Sequence, residues 1–139
     1  MERRSFLKKG SVLSILFSFP IMKKDMDLKK KQIDGVFKHH VYFWLKEPEN
    51  EETNKLFLKN LTDFLKECDM IKSVHIGKPA QTPRDVVDNS YTYDLLATFD
   101  GKDEQNAYQE HTAHKRFVEE TAHVWTRVQV YDSIELAKY

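Results

Sequence analysis

Between residues 36 and 134 the spacing of apolar positions switches between two periods, and each switch marks an element. From Val36 to Lys46 the period is two, with His39, Val41, Phe43 and Leu45 on one face and His40, Tyr42 and Trp44 on the other. That predicts a strand with large apolar groups on both faces. Both faces then need cover, and the simplest outer cover is a second subunit. Pro48 ends the strand, and Glu49 to Glu52 supplies acids suited to a helix N-terminus. Over Glu51 to Cys68 the period lengthens, placing Phe57, Leu58, Leu61, Phe64, Leu65 and Cys68 on one helical stripe. Alternation returns in Ile71 to Gly77 and in Tyr91 to Phe99, two strands separated by a proline-containing loop from Pro79 to Asn89. A turn at Asp100-Gly101 leads into a second helical region, Lys102 to about Val124. Arg127 to Ile134 is the last strand, with Val128, Val130 and Ile134 on one face.

The order strand, helix, strand, strand, helix, strand is the split βαβ repeat. It predicts an α+β fold, a ferredoxin-like βαββαβ sandwich whose four-stranded antiparallel sheet carries its helices on one face. The other face, aromatic on the first and third strands, then pairs with the same face of a second copy. Sheet stacked on sheet would close a dimeric α/β barrel.

Residues 1–22 read as an address rather than as fold. Arg3-Arg4-Ser5-Phe6-Leu7-Lys8 resembles the twin-arginine export signal, and the apolar stretch behind it, Gly10 to Met22, is too short to span a bilayer as a helix. Phe17 to Met22 makes a poor cleavage site. The expectation is export to the periplasm, with any membrane contact made only through an uncleaved N-terminal segment. Residues 23–34 form a charged linker and 35–139 the domain. Charge follows the same division: residues 1–31 hold nine Lys and Arg against three acids, and the remainder thirteen against nineteen. An acidic body argues against a nucleic-acid partner. The single Cys68 excludes an intrachain disulfide and any multi-cysteine metal site.

The candidate chemistry lies in Tyr108-Gln109-Glu110-His111-Thr112-Ala113-His114. On a continuous helix Tyr108, His111 and His114, at i, i+3 and i+6, project toward one face together with Ala107, Val118, Ala122 and Trp125. Two imidazoles and a phenol on an inward face can bind or move protons, and they can equally be hydrogen-bonded core residues.

With these residues in place the chain resembles the stress-responsive α/β-barrel (Dabb) family of the dimeric α/β-barrel superfamily. The likeness covers roughly residues 36–134. It rests on Lys38-His39 opening an apolar first strand, on Tyr93-Asp94 leading to Phe99-Asp100, and above all on Tyr108-x-x-His111-x-x-His114. The position after the first motif histidine is commonly proline in the family and is Thr112 here, which implies a softer helix break. In a plant polyketide cyclase of the family the motif tyrosine and last histidine carry an intramolecular aldol condensation, and a first-strand histidine lines the cavity. By motif position the resemblance implies Tyr108 and His114 as catalytic residues, with His39 lining the cavity; His111 is placed beside it for binding.

Such a reaction would suit these residue types. A carbon acid must give its proton to a base working near neutral pH, and imidazole, with an ordinary pKa of about 6.5, meets that need. A phenol supplies the donor for the oxyanion that follows. On this reading the chain is a cofactor-free lyase or cyclase, a homodimer with a small-molecule ligand and no metal. Two other readings stand beside it. In one the group is structural in a stress-associated, non-enzymatic barrel; in the other three histidines hold zinc. A cofactor-free monooxygenase would use Asn106 or Trp125, which no spacing singles out. His40, His75 and His123 are expected to be structural or exposed, and Trp44 and Trp125 to be packing residues.

Overall fold

The computed structural model describes residues 33–136. The twin-arginine-like segment 1–22 and nearly all of the linker lie outside the described residues. The chain enters the domain through Gly35, whose φ of 90° is open to glycine alone. A Cβ there would meet Thr98 Cβ at 2.9 Å.

β1 (Phe37–Leu45) then runs through the middle of a four-stranded sheet of order β2-β3-β1-β4. β2 is Ser73–Gly77, β3 Tyr93–Phe99 and β4 Trp125–Ile134, and every neighbouring pair is antiparallel. Burial along β1 alternates residue by residue, so Phe37, His39, Val41, Phe43 and Leu45 face the core as their spacing predicts.

Three helices cover that face. α1 (Glu51–Glu67) is started by Asn50, whose side-chain oxygen accepts from Glu52 N at 3.0 Å and Thr53 N at 3.1 Å. These bonds satisfy two of the amides a helix start leaves unpaired. Its stripe buries Phe57, Leu61 and Phe64 against the sheet. There Phe57 stacks on Tyr93 with ring centroids 5.5 Å apart, and Phe64 on Phe117 at 4.9 Å. Truncating any of these rings to alanine would cost about 3–5 kcal/mol.

The second helical region differs from its expected form. It is not one helix from Lys102 to Val124 but two, α2 (Lys102–Glu110) and α3 (Thr112–Thr121), followed by a 3-10 turn at Ala122–Val124. His111 lies between them in extended backbone, φ −64° and ψ 137°. Its own ring makes the break: Nδ1 accepts from Ala113 N at 3.2 Å and so caps α3. The chain therefore breaks at this position without the family's proline.

The helix-free face carries Tyr42, Trp44, Tyr91 and Tyr131, with Tyr42 edge-on to Tyr91 at 4.9 Å and to Tyr131 at 6.0 Å. Arg127 lies over the Trp44 ring, 4.3 Å from its centroid. No helix among the described residues is long and apolar enough to cross a membrane.

Candidate functional site

Because α2 ends at Glu110 and α3 restarts at Thr112, Tyr108 and His114 come from two helix ends that both face β1. Their rings lie 4.8 Å apart, centroid to centroid, and the His39 ring meets Tyr108 edge-on at 5.6 Å. All three line a hollow of about 250 Å3 between helices and sheet. Most of the remaining wall is apolar: Val41, Phe43, Leu95, Phe117, Trp125 and, at the rim, half-exposed Val118, Val128 and Val130. No lysine or arginine lines it.

Each polar group has a defined state. Tyr108 is 1% exposed, packed against Phe64 and Phe99. Burial first, then the Cys68 thiol and the Asp132 carboxylate, raises its hydroxyl well above the ordinary phenol value. The phenol therefore stays protonated and acts only as a neutral hydroxyl. That hydroxyl has no hydrogen-bond partner among the described residues, yet it is not sealed from the hollow. Burial lowers His114 below the ordinary imidazole value, as do the nearby His39 and His111, while a hydrogen bond to the Gln109 backbone works the other way. The ring is neutral near pH 7, with one nitrogen able to accept a proton.

His39 is buried, and its Nδ1 lies 2.6 Å from Asp132 Oδ1. The two residues are directly opposite in the β1–β4 register. With Nδ1–H donating to the carboxylate, Nε2 is the ring nitrogen left for other contacts. Asp132 was not legible as a partner in the sequence. The one available signal is an acid standing where Val128, Val130 and Ile134 make the rest of that strand face apolar.

The structure thus brings His39, Tyr108 and His114 together and leaves His111 out. His111 caps α3 and lies 3.5 Å from Cys68 Sγ, away from the cavity lining. The reason is local: a ring bound to the amide two residues on cannot also turn inward. Burial pushes the Cys68 thiol up to about 11, so it is no nucleophile at neutral pH. Among the described residues no group of three or more His, Cys, Asp or Glu side chains is placed to hold a metal ion. A larger groove of about 900 Å3, between the start of α1 and the loop before β3, holds Glu49, Glu51, Lys55 and Lys78 but no histidine. Its charges are solvated and do not converge.

Residues 37–135 match the stress responsive A/B barrel domain family, Dabb. The chain belongs to that family. No curated protein is significantly similar to it in sequence. Several solved structures share the fold of this Dabb domain. A Dabb family protein from Mesorhizobium loti is 19% identical with a TM-score of 0.63, covering 74% of this chain and 99% of its own. A hydroxynitrile lyase from Passiflora edulis is 12% identical at 0.63, covering 76% and 97%. A dimeric ferredoxin-like protein of unknown function from Thermobifida fusca is 16% identical at 0.60, covering 75% and 95%. At these identities the likeness is one of fold.

Proposed function

We propose that this Dabb domain is a homodimer that binds a small, uncharged organic molecule in the helix–sheet cavity and acts on it by proton transfer, without a cofactor, as a lyase or cyclase. The observation that carries the reading is a Tyr108 hydroxyl without a hydrogen-bond partner among the described residues, on a ring 4.8 Å from the His114 ring and 5.6 Å from the His39 ring at one cavity. His114 takes a proton from the carbon or hydroxyl group of the substrate. Tyr108 donates a hydrogen bond to the oxygen on which charge develops, and His39, fixed by Asp132, orients the substrate or shares the proton. In a cleavage, the bond to carbon breaks as the carbonyl forms and the leaving carbanion or cyanide takes the proton back. In a cyclisation the same steps run toward bond formation.

Walls of valine, phenylalanine and tryptophan without any cation favour a neutral, largely apolar ligand, since an anion would be desolvated with no counter-charge. The Passiflora edulis relative is a lyase, which makes an aromatic cyanohydrin a reasonable first probe. The test is release of aldehyde and cyanide from benzaldehyde cyanohydrin, and of products from a small panel of β-keto compounds. Loss of turnover in Tyr108→Phe and in His114→Ala, with folding intact, supports the assignment. Unchanged turnover of any substrate found defeats it.

A second reading is a stress-associated barrel without chemistry. The size of the hollow favours it, because about 250 Å3 lies below the usual range of roughly 300–1,000 Å3 for ligand pockets. The homodimer rests on the aromatic helix-free face and on relatives described as dimeric. Export by the twin-arginine route, or anchoring by an uncleaved signal, rests on Arg3-Arg4-Ser5-Phe6-Leu7-Lys8 alone.

A further inference from the structure

A second titratable cluster sits on the sheet face opposite the cavity. Asp94 of β3 is only 7% exposed although none of the described helices covers that face. Its Oδ2 lies 3.2 Å from His40 Nε2 on β1 and 4.0 Å from His75 Nε2 on β2. A Cβ at position 77 would fall 2.5 Å from Asp94 Oδ1 and 2.7 Å from His75 Nε2, so Gly77 leaves the space in which the groups converge. Tyr42 and Tyr91 flank it, their phenols raised by burial first and by the Asp94 charge second, and Tyr131 of β4 stands opposite His40 in the β1–β4 register.

Among the described residues no lysine or arginine pairs with this carboxylate. On the same face Arg127 lies over Trp44, near Asp88, and Lys38 pairs with Glu135 at 3.9 Å. Among the described residues the two imidazoles are the cationic groups within reach of Asp94, and His40 is the nearer and the less exposed.

His40 is also wired to change state without moving. The Tyr42 hydroxyl lies 3.3 Å from its Nδ1. A phenol can donate to that nitrogen when the ring is neutral and accept from it when the ring is charged, while Nε2–H donates to Asp94 in both states. Covering the face with a second copy removes the little water that still reaches Asp94 and the larger share that reaches His40. A buried carboxylate is tolerated when a neighbour carries the opposite charge.

We propose that self-association through the helix-free face takes up a proton at His40 in each protomer, so that the dimer tightens as pH falls toward 6. The inference rests on the homodimer reading above. The sign follows from linkage: a basic group that holds its proton better in the dimer stabilises it fully below the ordinary imidazole range, and that contribution fades as pH rises. His75, 67% exposed on its side chain and 4.0 Å from Asp94 Oδ2, is the farther and more solvated of the two imidazoles.

The experiment is sedimentation velocity on the full chain between about pH 6 and 8.5 at about 0.1 M salt, with melting curves to show that each variant is folded. The dimer dissociation constant of the native chain should rise at least about tenfold across that range. His40→Gln should flatten the dependence. Asp94→Asn should flatten it too and give a tighter dimer than native at the alkaline end. A native dimer whose dissociation constant does not change with pH overturns the proton coupling and leaves the dimer standing. Monomer at every pH up to about 0.1 mM overturns both. A full native slope in both variants overturns the assignment to His40 and Asp94.

Discussion

His39 Nδ1 lies 2.6 Å from Asp132 Oδ1 across the β1–β4 pair, joining a buried imidazole to a carboxylate whose side chain is 43% exposed. The contact fixes the ring's tautomer and ties the cavity floor to the edge strand. It should appear as coupling. In a double-mutant cycle of His39→Ala and Asp132→Ala by urea unfolding, the interaction energy is expected near 1 kcal/mol, the low end for a charged hydrogen bond because Asp132 is partly solvated. Additive single effects would mean that the pair does not hold in solution.

Tyr108 separates the catalytic from the structural reading. Its ring is core and its hydroxyl is uncommitted, so the two parts should behave differently. Tyr108→Ala is expected to cost about 3–5 kcal/mol of stability, and Tyr108→Phe less than about 0.5 kcal/mol. A loss of 1–3 kcal/mol in the phenylalanine variant, the scale of a severed buried hydrogen bond, would assign the hydroxyl to the scaffold.

His114 sets a pH dependence. Burial holds it below the ordinary imidazole value in the folded chain, so on acidification the unfolded chain binds the proton first. The stability associated with its neutral form is therefore present above about pH 6.5 and is lost as pH falls through the lower folded value. Melting temperature followed from pH 7.5 to pH 5 should fall more steeply for the native chain than for His114→Gln. Parallel curves would show that the ring is not buried as a neutral base.

His111 should matter for α3 and not for the cavity. Losing the bond to Ala113 N in His111→Ala is expected to cost about 1 kcal/mol, and His111→Asn, which can cap in the same way, only a few tenths. Thermal denaturation of the two variants checks this, and neither should alter turnover of a substrate that Tyr108→Phe abolishes.

Export is tested by fractionating cells that express the full chain or the double variant Arg3→Lys with Arg4→Lys. Periplasmic native protein with the variant retained in the cytoplasm is the expected result. Unchanged periplasmic variant refutes the twin-arginine route.

Much of this architecture could be read from residue spacing, and what escaped has identifiable causes. Alternation from Phe37 to Leu45 places His39 inward because the side-chain period of a strand leaves no freedom. The stripe Phe57, Leu61, Phe64 likewise puts α1 on the sheet. Projecting one unbroken helix places His111 beside Tyr108 and His114, whereas its ring ends that helix by capping the next; no periodicity records which hydrogen bond a side chain makes. Asp132 was invisible for another reason. Its meeting with His39 spans 93 residues and depends on the register of two strands, which a chain order alone does not give.

The most direct test of the cavity is a methyl NMR titration of the protein with benzaldehyde as probe, following Val118, Val128 and Val130 at its rim. Saturable shifts confined to these methyls, Val41 and Leu95 are expected, weakened in Tyr108→Phe while its melting temperature stays near native. No shift up to the solubility limit of the probe, or shifts centred on the face of Tyr42 and Tyr131, would contradict it.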